Sequence, residues 1–210
     1  MTNVDILERF SDECVFAKSI RDQYAELYEA GERRKALLAE VANLFFGDLN
    51  AILQEYIILQ ICKLTDPAHS GRGGAEENLT SNRILEFGWP AMISTELAKH
   101  NDVLLAFRKK VIEGRRKVIA HADLKSFMSQ VIYGGFTPSE EVAFWTALES
   151  FVNTASMHLK GDPFEIGTAA EGGAGALVSS LRDAVDYNDL VESNNAVILD
   201  RLGHTRYEDA

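Results

Sequence analysis

The chain has little cysteine and no cluster of metal-binding residues. Its 210 residues include only two cysteines, Cys14 and Cys62, which lie far apart in apolar segments with helical spacing. No two cysteine or histidine residues have the close spacing that zinc sites use. We therefore expect two buried free thiols in a reducing compartment, no metal site and no cofactor.

Net positive charge is also lacking. The chain has 32 acidic and 21 basic residues, for a formal net charge of −11. This charge argues against broad, charge-driven coating of nucleic acid. A local basic cluster is nevertheless present, and it is either a solvated helix face or part of a cleft: Arg108, Lys109, Lys110, Arg115, Arg116 and Lys117.

Long apolar runs and a signal peptide are missing as well. No apolar run approaches the roughly 20 residues that a membrane-spanning helix needs. Residues 1–10 mix acidic and apolar side chains, without the basic start and apolar centre of a signal peptide. We expect a cytoplasmic protein that makes no membrane contact.

Helical periodicity dominates the first third of the chain. Apolar residues recur at helical steps over residues 4–30, and Gly31 then predicts a stop. A second segment runs over residues 32–64 and ends before Asp66-Pro67, because proline disfavours helical geometry in the preceding residue. Gly47 interrupts this segment without necessarily breaking it. The two segments predict a long antiparallel helix hairpin.

Further helices follow a glycine-rich loop at residues 68–77. Thr80 or Ser81 is expected to cap a short helix, and another helix is expected over residues 90–97. Asn101 or Asp102 can then cap the helix that contains the basic cluster. Strong helix signals next occur at residues 137–159, which start with a Thr-Pro-Ser-Glu-Glu pattern, and at 176–185.

No strand alternation long enough to build a sheet is present, so the sequence predicts an all-α helical bundle. The bundle is expected over residues 1–160. Residues 161–210 are expected to form a helical or irregular extension that packs on the bundle or on a partner. This extension includes a small, glycine-rich stretch and a mostly polar tail.

The basic cluster leads into the sequence Arg115-Arg116-Lys117-Val118-Ile119-Ala120-His121. Arginine binds phosphate in a planar fork, and histidine exchanges a proton near neutral pH. On a helical projection Arg115 falls within the apolar arc, with Arg116 and His121 on opposite flanks. The spacing on one helix therefore does not by itself place Arg115 beside His121, although a long arginine side chain could reach around. A second copy of the helix, crossing at a two-fold axis, would gather two arginines and two histidines in one cleft.

Three motifs in order resemble the HEPN family, in particular its abortive-infection U-type branch. Ribonuclease members of that family have an arginine, four to six residues, and then a histidine, as at Arg115 and His121. The segments Leu64-Thr65-Asp66-Pro67 and Asn78-Leu79-Thr80 match the branch's helix end and the start that follows its polar loop. The resemblance covers residues 5–181. The family commonly has asparagine or aspartate after the arginine, whereas this chain has Arg116, which also has the required spacing to His121.

The resemblance implies a homodimeric, metal-independent endoribonuclease of a phage-defence or toxin–antitoxin system. His121 would act as general base on the ribose 2′-hydroxyl, and Arg115 would stabilise the charge on the phosphate. Arg116 and Lys117 would hold flanking phosphates, and Asp123 would orient His121 or simply end the helix. An antitoxin or a nucleotidyltransferase is the implied partner. A catalytically inactive module that binds RNA or a protein, and a purely structural helical dimer, remain alternatives.

Other polar residues have simpler explanations. Asp66 and Asn78 are expected to cap helices and fix the loop between them. His69 has no companion nearby in sequence, and the remaining histidines, His100, His158 and His204, are expected to lie at helix ends or on the surface. The aromatic residues Phe144, Trp145 and Phe151 have helical spacing and are expected to lie in the core.

Overall fold

The computed structural model describes residues 2–114, 135–167 and 172–192. Within these ranges the fold is all-α with one very small sheet, which confirms the predicted fold class. In chain order the elements are α1 (Asn3–Tyr28), α2 (Glu32–Thr65), β1 (His69–Ser70), a 3-10 turn (Arg72–Gly74), β2 (Glu76–Glu77), α3 (Ser81–Leu85), α4 (Ala91–Gly114), α5 (Pro138–Lys160) and α6 (Ala174–Glu192).

The described residues divide into two compact units, each built from separate stretches of sequence. The described residues of the first unit fall within Met1–Asp22 and Ala51–Ala169, and those of the second fall within Gln23–Asn50 and Ala170–Ala210. Helices α1 and α2 contribute to both units. Packing of residues 161–210 on the bundle or on a partner stays a prediction.

In the first unit, the beginning of α1 packs against the end of α2. The Nζ atom of Lys63 lies 2.9 Å from a carboxylate oxygen of Glu13. The rings of Phe16 and Tyr56 meet edge to face with centroids 6.4 Å apart. Since the earlier α1 residue pairs with the later α2 residue, the two segments run antiparallel, as the hairpin prediction requires.

In the second unit, the turn between α1 and α2 is closed by Gly31, whose φ of 106° suits glycine. Arg34 donates hydrogen bonds to the carbonyl oxygen and to the carboxylate of Glu26, at 2.7 and 2.9 Å. Helix α2 loses helical geometry at Ala42, with φ −160° and ψ 72°. The sequence drew attention to Gly47 instead, five residues further on.

Helix α4 is longer than the sequence predicted. Two helices were expected, with Asn101 or Asp102 capping the second, but α4 is continuous from Ala91 to Gly114. This prediction was wrong because Asn101 is a buried side chain with a tertiary partner. Its amide donates a 3.0 Å hydrogen bond to Asn82 on α3, so its polarity serves packing between helices rather than a cap.

Helix α5 starts where the sequence places it and provides much of the core. Thr137 and Glu140 form a complete capping box at its first turn. The predicted core aromatics are confirmed, since all three are at most 7% exposed: Phe144, Trp145 and Phe151. The ring of Phe144 lies 5.0 Å from that of Phe107, and this contact joins α5 to α4.

Cys14 and Cys62 are buried and form no disulfide with each other, as predicted. Cys14 and Cys62 are each 0% exposed and lie in the first unit. Burial raises the pKa of the Cys14 thiol well above its ordinary value, because the apolar surroundings disfavour the thiolate.

By length and composition alone, α2 could cross a membrane. It contains an 18-residue stretch with a mean hydropathy of 1.4, of which 11% is buried. The sequence has no uninterrupted apolar run of roughly 20 residues, but this fact does not distinguish α2 from a membrane-spanning helix. Core helices of soluble proteins pass the same test. The absence of membrane contact therefore remains a prediction.

Candidate functional site

The predicted catalytic segment lies outside the described residues. This applies to Arg115, Arg116, Lys117, His121 and Asp123. The structure does describe what comes directly before and after this segment. Helix α4 reaches Gly114 on one side of it, and Gly135 precedes α5 on the other.

Two contacts join the chain on either side of residues 115–134. The Nζ atom of Lys110, near the end of α4, lies 2.5 Å from a carboxylate oxygen of Glu140 in the first turn of α5. The ring of Phe107 lies 4.9 Å from that of Phe136, which precedes α5. The chain on either side of residues 115–134 is therefore held together at this end of α4 and α5.

The described part of the basic cluster is only partly neutralised. Arg108 forms a 2.5 Å ion pair with Asp66, and Lys110 pairs with Glu140. Lys109 is exposed and makes no hydrogen bond or ion pair with the residues that the structure describes. Two of these three cations thus have carboxylate partners, and Lys109 has none within the part of the chain that the structure describes.

Asp66 connects the end of α2 to α4. Its carboxylate accepts a hydrogen bond from Arg108, and the two side chains are 23% and 20% exposed. Asn82 on α3 donates from its amide to the carbonyl oxygens of Thr65 and Asp66, at 3.2 and 2.9 Å. Because Asn82 also accepts from Asn101 on α4, one polar network joins α2, α3 and α4. The sequence did not predict the Arg108 pairing, since 42 residues separate the partners.

Asn78 fixes the loop that follows α2. Its amide donates to the carbonyl oxygen of Pro67 at 2.9 Å, and its side-chain oxygen accepts from Ser70 at 3.1 Å. The loop forms a two-stranded antiparallel ladder with His69 opposite Glu77, rather than the irregular loop that its glycines predict. Helix α3 is capped by Thr80, so the predicted loop-fixing role of Asn78 is confirmed and a capping role is not.

The other described histidines do not form a comparable site. His69 Nε2 lies 3.2 Å from a carboxylate oxygen of Glu86, and the same oxygen accepts from Arg83 at 3.1 Å. His158 is exposed and meets Trp89 edge to face at 5.6 Å. His204 lies outside the described residues. Within the described ranges, no group of three or more His, Cys, Asp or Glu side chains could hold a metal ion.

A family model described as AbiU2, of HEPN type, matches residues 4–177. No curated protein and no solved structure matches the chain. The matched range takes in the α1–α2 hairpin, the loop fixed by Asn78, the segment 115–134 and all of α5. The chain therefore belongs to the AbiU2 family of HEPN domains.

Proposed function

We propose that this protein is a metal-independent endoribonuclease of HEPN type that acts in phage defence or in a toxin–antitoxin pair. Membership of the AbiU2 family is the observation on which the proposal rests. Within that family resemblance, Arg115 and His121 are the catalytic pair. The proposal is further supported by the ion pair and the ring contact between α4 and the start of α5, which hold the chain together on either side of residues 115–134.

The reaction uses the ribose itself as the nucleophile. His121 accepts the proton of a 2′-hydroxyl, and the oxygen then attacks the adjacent phosphorus. Arg115 stabilises the negative charge that develops on the phosphate oxygens. The bond from phosphorus to the 5′-oxygen breaks, and His121 of a second protomer protonates the leaving oxygen. The products are a 2′,3′-cyclic phosphate and a 5′-hydroxyl, so RNA is cleaved and DNA is not.

The basic residues around this pair hold the strand. Arg116 and Lys117 contact flanking phosphates and do not read sequence. Lys109 supplies one further positive charge, because no carboxylate of the described residues neutralises it. The active form is a homodimer, since one helix does not bring Arg115 and His121 together.

The decisive experiment compares two histidine variants on single-stranded RNA in the presence of a chelator. His121→Ala should lower the cleavage rate by about 10²- to 10⁴-fold, the usual contribution of a general base. His69→Ala is the matched control, because that side chain is 43% exposed and pairs only weakly with Glu86. Equal cleavage by wild type and His121→Ala would disprove the proposed mechanism.

A catalytically inactive RNA- or protein-binding module is the second candidate. It is favoured by the pairing of Arg108 and Lys110 with carboxylates and by the net charge of −11. This candidate predicts RNA that migrates more slowly in a gel without being cut, at every protein concentration. Wild-type protein that yields 2′,3′-cyclic phosphate ends would exclude it.

A further inference from the structure

A cleft opens within the second unit, between the end of α1 and the first half of α2. Its volume is about 320 Å³, and the residues that matter for its chemistry are Tyr24, Tyr28, Lys35, Asn43, Phe46 and Gly47. All of them belong to the stretch Gln23–Asn50. This size lies within the usual range for small-molecule sites. None of these residues takes part in the proposed nuclease chemistry.

One wall of the cleft is aromatic and firmly held. The rings of Tyr24 and Tyr28 lie 5.2 Å apart with an interplanar angle of 40°. The Tyr28 hydroxyl donates a 2.9 Å hydrogen bond to the carbonyl oxygen of Phe46 on α2. This bond ties the end of α1 to α2 and holds the Tyr28 ring, so the tyrosine pair can serve as a platform on which a flat ring stacks.

The floor of the cleft is apolar, and the space above Gly47 is open. Leu38 and Phe46 are 2% and 6% exposed, so they form a solid base. Between them α2 departs from helical geometry at Ala42. A Cβ placed on Gly47 would meet nothing within 4 Å. A ligand could therefore enter here without displacing a side chain of the cleft.

The rim of the cleft provides a cation and an amide. Lys35 Nζ lies 2.8 Å from a carboxylate oxygen of Glu32, but the two side chains are 52% and 87% exposed. Exposed ion pairs of this kind contribute about 0–1 kcal/mol, so a phosphate can replace Glu32. Asn43 is exposed and has no hydrogen-bond partner among the described residues. Its amide has both donors and an acceptor, the groups that pair with the edge of a nucleobase.

We propose that this cleft binds a nucleotide, with the base on the Tyr24–Tyr28 platform, its edge at Asn43 and its phosphate at Lys35. The nucleotide is either a free mononucleotide or one residue of single-stranded RNA. Aromatic stacking together with a nearby cation is the general way in which proteins hold unpaired nucleotides. This inference does not depend on the proposed nuclease activity.

The test measures binding to the full chain by titration calorimetry. The ligands are adenosine 5′-monophosphate, adenosine, and an oligoadenylate with 2′-O-methyl riboses, which the proposed nuclease cannot cleave. Lys35→Ala should weaken binding of the monophosphate about tenfold while changing adenosine binding less than twofold. Asn43→Ala should weaken both ligands. Tyr24→Leu should weaken both by about 5- to 150-fold, the usual range for loss of a stacking partner.

Two controls separate these effects from general changes. Arg33→Ala removes an exposed charge near the start of α2 and should leave all affinities within twofold. Lys35→Ala and Asn43→Ala alter exposed side chains, so thermal melting should stay unchanged and the result does not depend on how well Tyr24→Leu folds. If Lys35→Ala and Asn43→Ala weaken binding of the oligoadenylate more than binding of the monophosphate, RNA is the source, and the reverse identifies a free nucleotide.

The proposal is overturned if none of the three ligands binds at millimolar concentration. It is also overturned if binding occurs but is the same in wild type, Lys35→Ala and Asn43→Ala. Loss of cleavage in His121→Ala with unchanged oligoadenylate binding would support the nuclease and the cleft separately. A protein that binds nucleotides here but cuts no RNA would keep this inference and reject the nuclease.

Discussion

Lys110 on α4 and Glu140 on α5 form an ion pair across the two ends of the segment that contains the predicted catalytic residues. The distance from Nζ to the carboxylate oxygen is 2.5 Å. Glu140 has a second role in the same place, since its carboxylate also accepts from the Thr137 backbone amide at 2.8 Å. One side chain thus caps α5 and holds it to α4.

The first prediction concerns pH. Hydrogen bonds from Lys110 and from the Thr137 backbone lower the pKa of Glu140 from 4.5 to about 2. A lowered folded-state pKa stabilises the fold above pH 4.5, and this contribution is lost as the pH falls towards 2. Glu140→Gln keeps the capping geometry but removes the charge. The variant should be less stable than wild type at pH 7, and the difference should shrink between pH 4.5 and 2.

Urea unfolding followed by circular dichroism at several pH values measures this difference. Glu96→Gln alters an exposed carboxylate on α4 and serves as the control. A gap between wild type and Glu140→Gln that stays constant from pH 7 to pH 2 would contradict the assigned role of the charge.

The second prediction concerns Asp66 and Arg108. Each side chain is about four-fifths buried, so removing one partner leaves a partly desolvated charge. Asp66→Asn and Arg108→Met should each cost about 1–3 kcal/mol. The double variant should show a coupling energy of about 0.5–3 kcal/mol in a double-mutant cycle. The same cycle on the exposed pair Glu32 and Lys35 should give less than about 0.5 kcal/mol. Additive effects at Asp66 and Arg108 would mean that the pair contributes nothing to stability.

The third prediction concerns Lys109. If this exposed cation contacts a phosphate, Lys109→Ala should weaken RNA binding and reduce the salt slope of log affinity by about one. Lys99→Ala, which removes another exposed lysine of α4, should change neither quantity. Fluorescence anisotropy over a series of salt concentrations measures both. Identical salt slopes for wild type and Lys109→Ala would show that Lys109 does not contact an RNA phosphate.

The fourth prediction concerns the interface between α4 and α5. Phe144 is 0% exposed and contacts Phe107 and Trp145, so Phe144→Ala should cost about 3–5 kcal/mol. Val142 on the same helix is 64% exposed, and Val142→Ala should change stability by less than about 0.5 kcal/mol. Chemical denaturation compares the two. Similar costs for both would show that the packing of α5 is misassigned.

Helix boundaries set by local chemistry were predictable from the sequence. The start at Thr137 follows from a capping box, and the stop at Gly31 from the one residue type that accepts a φ of 106° without strain. Asn101 shows the limit of such reasoning. Its polar neighbours suggest a cap, but the partner that explains its burial, Asn82, belongs to another helix. The departure at Ala42 has no local signal, since neither glycine nor proline lies there.

The candidate site likewise has one part that the sequence predicts and another part that only the fold shows. Residue types and spacing suffice to propose chemistry at Arg115 and His121, which lie outside the described residues. The contacts around the candidate site join residues that are far apart in sequence, so motif spacing could not predict them. Asp66 and Arg108 are 42 residues apart, and Lys110 and Glu140 are 30 residues apart. The cleft at Tyr24 and Tyr28 escaped sequence analysis for another reason. Tyrosines four residues apart on an amphipathic helix predict packing, and only the fold shows a cavity beside them.

The complete enclosure of both thiols has a practical consequence. Cys14 and Cys62 lie in one unit, and neither side chain reaches solvent. An alkylating reagent can therefore modify them only in molecules that have opened. The rate of alkylation in native buffer then reports the opening free energy of that unit, with no engineered label.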